Sequence, residues 1–170
     1  MRRTALKVLT AAIAASMIGA PGSMGTAGAS DGGRTFQIAL SGANEVQPTN
    51  AHGDADRGSV TLTMNLGQRT VCWQFGELTL TAGEALPHIS HIHQAPAGVA
   101  GGIVLTLFGA PANTGGVNTP TAPTAYPTDT VCLENVSREL LTNIFSDPEQ
   151  YYVNMHNMTH PAGVVRGQLR

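Results

Sequence analysis

The sequence predicts an all-β domain, an antiparallel β-sandwich or Greek-key barrel that carries one short helix. Three observations support this prediction: short segments in which apolar and polar residues alternate, frequent turn-forming residues between them, and few charged side chains. Alternation with a period of two is typical of a strand with one face in a core. Charged residues make up only 12% of a chain with 20 glycines and 10 prolines, which favours a turn-rich β domain over a helical one.

Alternating apolar residues predict the strands of the first half of the domain. Phe36, Ile38 and Leu40 alternate with polar or small residues and form one apolar face. The same pattern recurs over residues 60–66 and again over residues 71–75. Because only a short turn separates the last two segments, we expect them to pair as a hairpin.

The second half of the domain contains further strand patterns and the predicted helix. Short apolar segments predict strands over residues 103–108, 130–133, 151–156 and 164–169. The helical pattern lies near residues 137–146, where Ser137 can cap the first turn. Its apolar side chains share one helical face. These side chains are Leu140, Leu141, Ile144 and Phe145.

Residues 1–29 are predicted to be a signal peptide. Arg2, Arg3 and Lys7 give a positive start, residues 8–20 are apolar, and Ala27-Gly28-Ala29 offers small residues for cleavage. The paired arginines also resemble a twin-arginine signal, so the Sec and twin-arginine export routes both stay open. We therefore expect a secreted, periplasmic or cell-envelope protein with a single domain over residues 34–170, and no integral membrane segment after cleavage.

Cys72 and Cys132 are the two cysteines of the chain. An even number of cysteines in an oxidising compartment favours a disulfide over two free thiols. Nucleic acid is not an expected partner, because the formal net charge is -2 and the chain has only nine Lys and Arg residues.

Four ordered motifs resemble the CHRD domain, the module named after chordin, a secreted antagonist of bone morphogenetic proteins. They are Phe36 to Val46, Ser90 to Val104, Tyr152 to His156, and Arg166 to Leu169. The resemblance covers residues 34–170 and implies an exported β-sandwich module. Bacterial members commonly stand alone and lack an assigned function. We expect the chain to be an exported CHRD-type binding or cell-envelope module without catalysis of its own, whose partner is an unidentified extracellular or envelope ligand or protein.

The histidines suggest a second function from a different class. His91 and His93 are two residues apart on a predicted strand, so they point to the same face. With His156 they would form a three-histidine site for copper or zinc, and with copper the site would permit redox chemistry. The alternative is a buried network in which backbone carbonyls satisfy the ring nitrogens. His88 and His160 are candidate accessory ligands or solvated loop histidines.

Other chemistry has little support in the sequence. Ser90 precedes His91, but the G-x-S-x-G motif of a nucleophile elbow is absent. Arg166 is expected to be structural and to pair with a carboxylate or with carbonyls near the sheet edge. We therefore assign no catalytic residues from the sequence.

Overall fold

A computed structural model of the protein describes residues 32–46, 55–109 and 126–170. The predicted signal peptide lies outside these residues. Within them the fold is all-β with one short α-helix, as the sequence predicts. The described strands are β1 (Gly33–Ser41), β2 (Arg57–Asn65), β3 (Thr70–Phe75), β4 (Ile89–Gln94), β5 (Gly102–Phe108), β6 (Val131–Leu133), β7 (Tyr151–His156) and β8 (Val165–Gln168).

The strands form one antiparallel sheet of eight strands that curls into a half-barrel. Their order across the sheet is β5-β4-β7-β8-β1-β2-β3-β6. The predicted hairpin between β2 and β3 is confirmed, with Leu62 opposite Trp73. The order also places β7 beside β4, although a long stretch of chain separates them. This pairing brings the two histidine-containing segments together.

Alternation along the strands determines which face of the sheet meets the apolar core. Phe36, Leu62 and Trp73 of neighbouring strands are almost fully buried and belong to one continuous cluster. In β4 and β7 the core-facing side chains include Ile92 and Val153. The residues between them point to the opposite face of the sheet.

The helix α1 (Arg138–Ser146) confirms the predicted helix and its cap. The Ser137 side chain accepts a hydrogen bond from the backbone N–H of Leu140. Leu141 and Ile144 are buried in the apolar cluster, and this tertiary packing explains why so short a helix is stable. It is followed by a single 3-10 turn, Pro148–Gln150, that leads directly into β7.

Strand β7 differs from the others because all six of its residues are buried. One face packs on the core, and loops cover the other face. Arg166 on β8 donates hydrogen bonds to the carbonyls of Pro96 and Val99, which fixes the β4–β5 loop over this face. The covered face carries polar side chains rather than apolar ones, so its polar atoms need partners inside the protein.

In the described part of the chain, no helix combines the length and apolar character needed to span a bilayer.

The predicted disulfide is present and joins Cys72 of β3 to Cys132 of β6. It connects the edge strand β6 to the sheet and closes a loop of 60 residues. A loop of that length in the unfolded chain corresponds to a stabilisation of roughly 4 kcal/mol.

Replacing both cysteines, Cys72→Ser with Cys132→Ser, should lower the free energy of unfolding by roughly 4 kcal/mol, because the unfolded chain regains its loop entropy. Urea unfolding of the oxidised protein and the double variant measures the difference. Reducing the wild-type protein should reproduce the loss, and the same reductant should leave the double variant unchanged. Equal stability of the oxidised protein and the double variant would contradict this account.

Candidate functional site

Three histidines meet on the covered face of the sheet. His91, His93 and His156 are 4%, 7% and 8% exposed. One nitrogen of each ring lies within 4.8 Å of the others, and the Nδ1 of His91 is 3.2 Å from the Nε2 of His156. The structure therefore brings together the three residues that the sequence analysis proposed as a group.

The register between β4 and β7 explains this grouping. Ile89 pairs with His156, His91 with Asn154, and His93 with Tyr152. Residues opposite each other in an antiparallel pair point to the same face. The three imidazoles are thus neighbours on one face, with ring centroids 5.0 to 6.1 Å apart.

Backbone carbonyls hold two of the rings in a defined tautomer. The Nδ1 of His93 lies 2.9 Å from the Gly101 carbonyl, and the Nδ1 of His156 lies 3.0 Å from the Pro161 carbonyl. Because a carbonyl can only accept, each Nδ1 must carry the proton. The Nε2 of each ring therefore carries a lone pair that points into the cluster, where that of His156 faces the Nδ1 of His91.

The environment keeps these imidazoles neutral. Burial, together with the nearby His91, lowers the pKa of His156 from 6.5 to about 4. Burial also lowers the pKa of His93, although its hydrogen bond to the Gly101 carbonyl and the nearby Asn154 side chain oppose this effect. Neutral imidazole is the form that binds metal ions.

Aromatic and cationic stacking fixes the position of His93. Its ring lies parallel to that of Tyr152, at an interplanar angle of 6° and a centroid distance of 4.9 Å. The Arg166 guanidinium lies 3.4 Å from the Tyr152 ring centroid, on the side of β8. The Tyr152 hydroxyl in turn accepts a hydrogen bond from the Gly101 N–H. Gly101 is constrained at this position, because a Cβ there would collide with the Gln94 carbonyl.

A hydrogen-bonded clamp holds the loop that follows His156. Asn157 donates hydrogen bonds to Glu84 and to the Ala85 carbonyl, and its Oδ1 accepts from the His160 N–H. The His160 Nε2 is 2.6 Å from a Glu84 oxygen. Burial alone would raise the pKa of Glu84, but its hydrogen bonds to His160 and Asn157 outweigh this and lower it. The clamp positions the Pro161 carbonyl against His156.

The two candidate accessory histidines lie outside the three-residue group. His160 is paired with Glu84, as described above. His88 donates its backbone N–H to the His156 carbonyl, and its side chain is close enough to contribute to the lowered pKa of His156. An accessory role for either residue stays a prediction.

A groove with a volume of about 830 Å³ lies beside the cluster. Glu45, Pro96, Arg166 and Gln168 are among its lining residues. Burial raises the pKa of Glu45 to about 7, against the opposing effects of Arg166 and the Asn154 amide. Arg166 itself donates hydrogen bonds to the loop carbonyls of Pro96 and Val99, which confirms the expected pairing with carbonyls. The expected position near the sheet edge is wrong, because β8 lies inside the sheet, between β7 and β1.

Sequence reasoning missed the polar residues that surround the histidines. Asn154, Tyr152 and Glu84 each contact the cluster or the clamp, yet none of them stands in a recognisable ligand spacing. The sequence could have indicated Asn154, because it lies two residues before His156 on a predicted strand and so points to the same face as His156.

In the metal-free protein, His156 should make the free energy of unfolding decrease as the pH falls. Its folded pKa of about 4 is below the ordinary 6.5, so the unfolded state binds a proton more readily. The contribution of His156 to the free energy of unfolding is complete above pH 6.5 and is lost as the pH falls towards 4. The total loss is roughly 3 kcal/mol at most. Urea unfolding of wild type and His156→Gln between pH 7.5 and 4 measures it.

The difference between the two proteins isolates His156 from Glu45. The raised pKa of Glu45 acts in the opposite direction, because its destabilising effect is relieved as the pH falls from 7 to 4.5. Identical pH dependence in wild type and His156→Gln would show that His156 is not held in its neutral form.

The family of the chain follows from a comparison with protein-family models. The model of the CHRD domain matches residues 36–169, nearly the whole chain. Neither the curated proteins nor the solved structures gave a match. The matched region includes all eight described strands except the first residues of β1, together with the three histidines. The chain belongs to the CHRD domain family.

Proposed function

We propose that this CHRD-family chain is an exported binding module that holds one transition-metal ion, copper or zinc, through His91, His93 and His156. The observation that carries the proposal is the convergence of three buried imidazoles, with one nitrogen of each within 4.8 Å of the others. Three histidines leave a fourth coordination position for another ligand.

The balance of donors and acceptors in the cluster favours a cation. The Nε2 atoms of His93 and His156 both offer lone pairs, and the Nδ1 of His91 can donate to only one of them. The Nε2 of His93 is buried and has no hydrogen-bond partner in the described part of the chain. A purely structural network would satisfy this atom, because buried polar groups are normally hydrogen-bonded. A metal ion would instead accept both lone pairs.

The carbonyls of Gly101 and Pro161 correspond to the outer shell of a histidine metal site. A metal-bound histidine usually donates its other ring N–H to a carbonyl or carboxylate, which fixes the tautomer and makes the ligating nitrogen more basic. Both contacts already exist here, at 2.9 and 3.0 Å. The protein therefore orients two of the three ligands before any ion binds.

The spacing of the nitrogens is compatible with a single ion after a small adjustment. Zinc–nitrogen bonds of about 2.0 Å place two nitrogens of a tetrahedral site about 3.3 Å apart. His91 and His156 already have this spacing, at 3.2 Å. The widest separation, up to 4.8 Å, requires the rings to close by about 1.5 Å. Neutral imidazoles suit both copper and zinc.

Export is the second part of the proposal. CHRD domains are typically extracellular, and the chain has a disulfide between Cys72 and Cys132. Disulfides persist in oxidising compartments. We propose that residues 1–29 direct the chain there as a signal peptide, and that residues 34–170 form a secreted, periplasmic or envelope-bound domain. The proposed role is to bind, and no catalytic step is part of it.

The oxidised protein should take up one equivalent of Cu(II) or Zn(II), measured by elemental analysis after desalting. At a free metal concentration of 100 times Kd, the free energy of unfolding should rise by about 2.7 kcal/mol. His93→Ala should abolish both effects, because it removes the lone pair that has no other partner. Isothermal titration calorimetry of both proteins gives the affinities.

His88→Ala and His160→Ala serve as matched histidine deletions outside the group. Each should keep one bound equivalent, and a loss of metal in either would assign that residue an accessory role. A wild-type protein that stays folded and metal-free after challenge with both ions would refute the metal proposal.

A further inference from the structure

Asn154 lies within the histidine group, although its side chain is not an imidazole. It pairs directly with His91 across β4 and β7, and it is two residues from His156 on the same face of β7. It is 2% exposed. The four side chains of His91, His93, Asn154 and His156 therefore form the corners of a parallelogram on the covered face of the sheet.

Two buried acceptors in this parallelogram lack a hydrogen-bond partner. They are the Nε2 of His93 and the Oδ1 of Asn154, for which the described residues supply no donor. The Asn154 side chain influences the pKa of His93, so the two groups are close to each other. Two adjacent acceptors can both be satisfied only by a donor such as water or by a cation placed between them.

Glu45 positions the Asn154 amide. The Asn154 side chain lowers the pKa of the Glu45 carboxyl, as an N–H group that faces a carboxylate does, so the Nδ2 of Asn154 lies towards Glu45. The Oδ1 then points away from Glu45, towards the histidines. Glu45 reaches this position because residue 163 is a glycine, and a Cβ there would come within 2.5 Å of the carboxyl oxygen.

We infer that the Oδ1 of Asn154 is the fourth ligand of the metal ion. The inference deepens the proposed metal site and depends on it. Three imidazole nitrogens and one amide oxygen form a neutral ligand set without a thiolate or thioether. Such a set suits Cu(II) and Zn(II), whereas Cu(I) prefers sulfur ligands. The site therefore selects the divalent ions, and Glu45 acts as a positioning residue.

The decisive experiment asks whether water or Asn154 occupies the fourth position of the Cu(II)-loaded protein. Pulsed electron paramagnetic resonance in D₂O detects a deuterated water ligand on Cu(II). We expect no such ligand in wild type and a clear one in Asn154→Ala, where water replaces the amide oxygen. The Cu(II) affinity of Asn154→Ala, from competition with a chelator, should fall by about 10- to 100-fold.

Two further variants keep the test decisive. Asn154→Asp preserves the shape and supplies a charged oxygen, so it should exclude the water ligand, retain or strengthen Cu(II) binding and change the continuous-wave spectrum. It serves as the test if Asn154→Ala does not fold. Met155→Leu changes the adjacent, core-facing residue of β7 and should leave affinity and spectrum unchanged.

The outcomes separate the two proposals. A wild-type protein that binds no stoichiometric metal overturns the metal site and the role of Asn154 together. A wild-type protein that binds Cu(II) with a deuterated water ligand overturns the role of Asn154 alone. Spectra of Asn154→Asp and wild type that are identical also overturn it.

Discussion

The pairing of β4 with β7 is the constraint on which the rest of the structure depends. Side chains alternate between faces with a period of two, so a shift of one residue would exchange the histidines with Ile92 and Val153. The apolar cluster holds the observed register, because those two side chains are fully buried in it. The core that stabilises the sheet therefore also determines the grouping of His91, His93 and His156.

The face of the sheet that carries the histidines is polar and buried, so its polar atoms need hydrogen-bond partners inside the protein. The loops supply most of them: the carbonyls of Gly101 and Pro161 pair with two imidazoles, and those of Pro96 and Val99 pair with Arg166. Each loop is held by side chains of the site it covers. Covering the face thus fixes the tautomers of His93 and His156 and lowers the pKa of both. Among the described residues of the histidine group, the Nε2 of His93 and the Oδ1 of Asn154 are the acceptors left without a hydrogen-bond partner.

Periodicity and composition were sufficient to predict the all-β class, the short helix with its Ser137 cap, and the disulfide, because each depends on local pattern or on cysteine number. The family resemblance added the extent of the domain. The sequence left the sandwich and barrel forms open, and the structure shows a single curled sheet. The sheet order and the roles of Asn154 and Glu84 could not be predicted, since they depend on contacts between residues far apart in the chain.

X-ray absorption at the zinc edge of the zinc-loaded protein tests the central claim most directly, because it reports the atoms bound to the ion. The account predicts a four-coordinate ion with scattering from three imidazole rings and with bonds of about 2.0 to 2.2 Å. A shell of oxygen atoms without imidazole scattering would contradict it. In that case the zinc would lie on some other surface, and the buried histidines would serve only the fold.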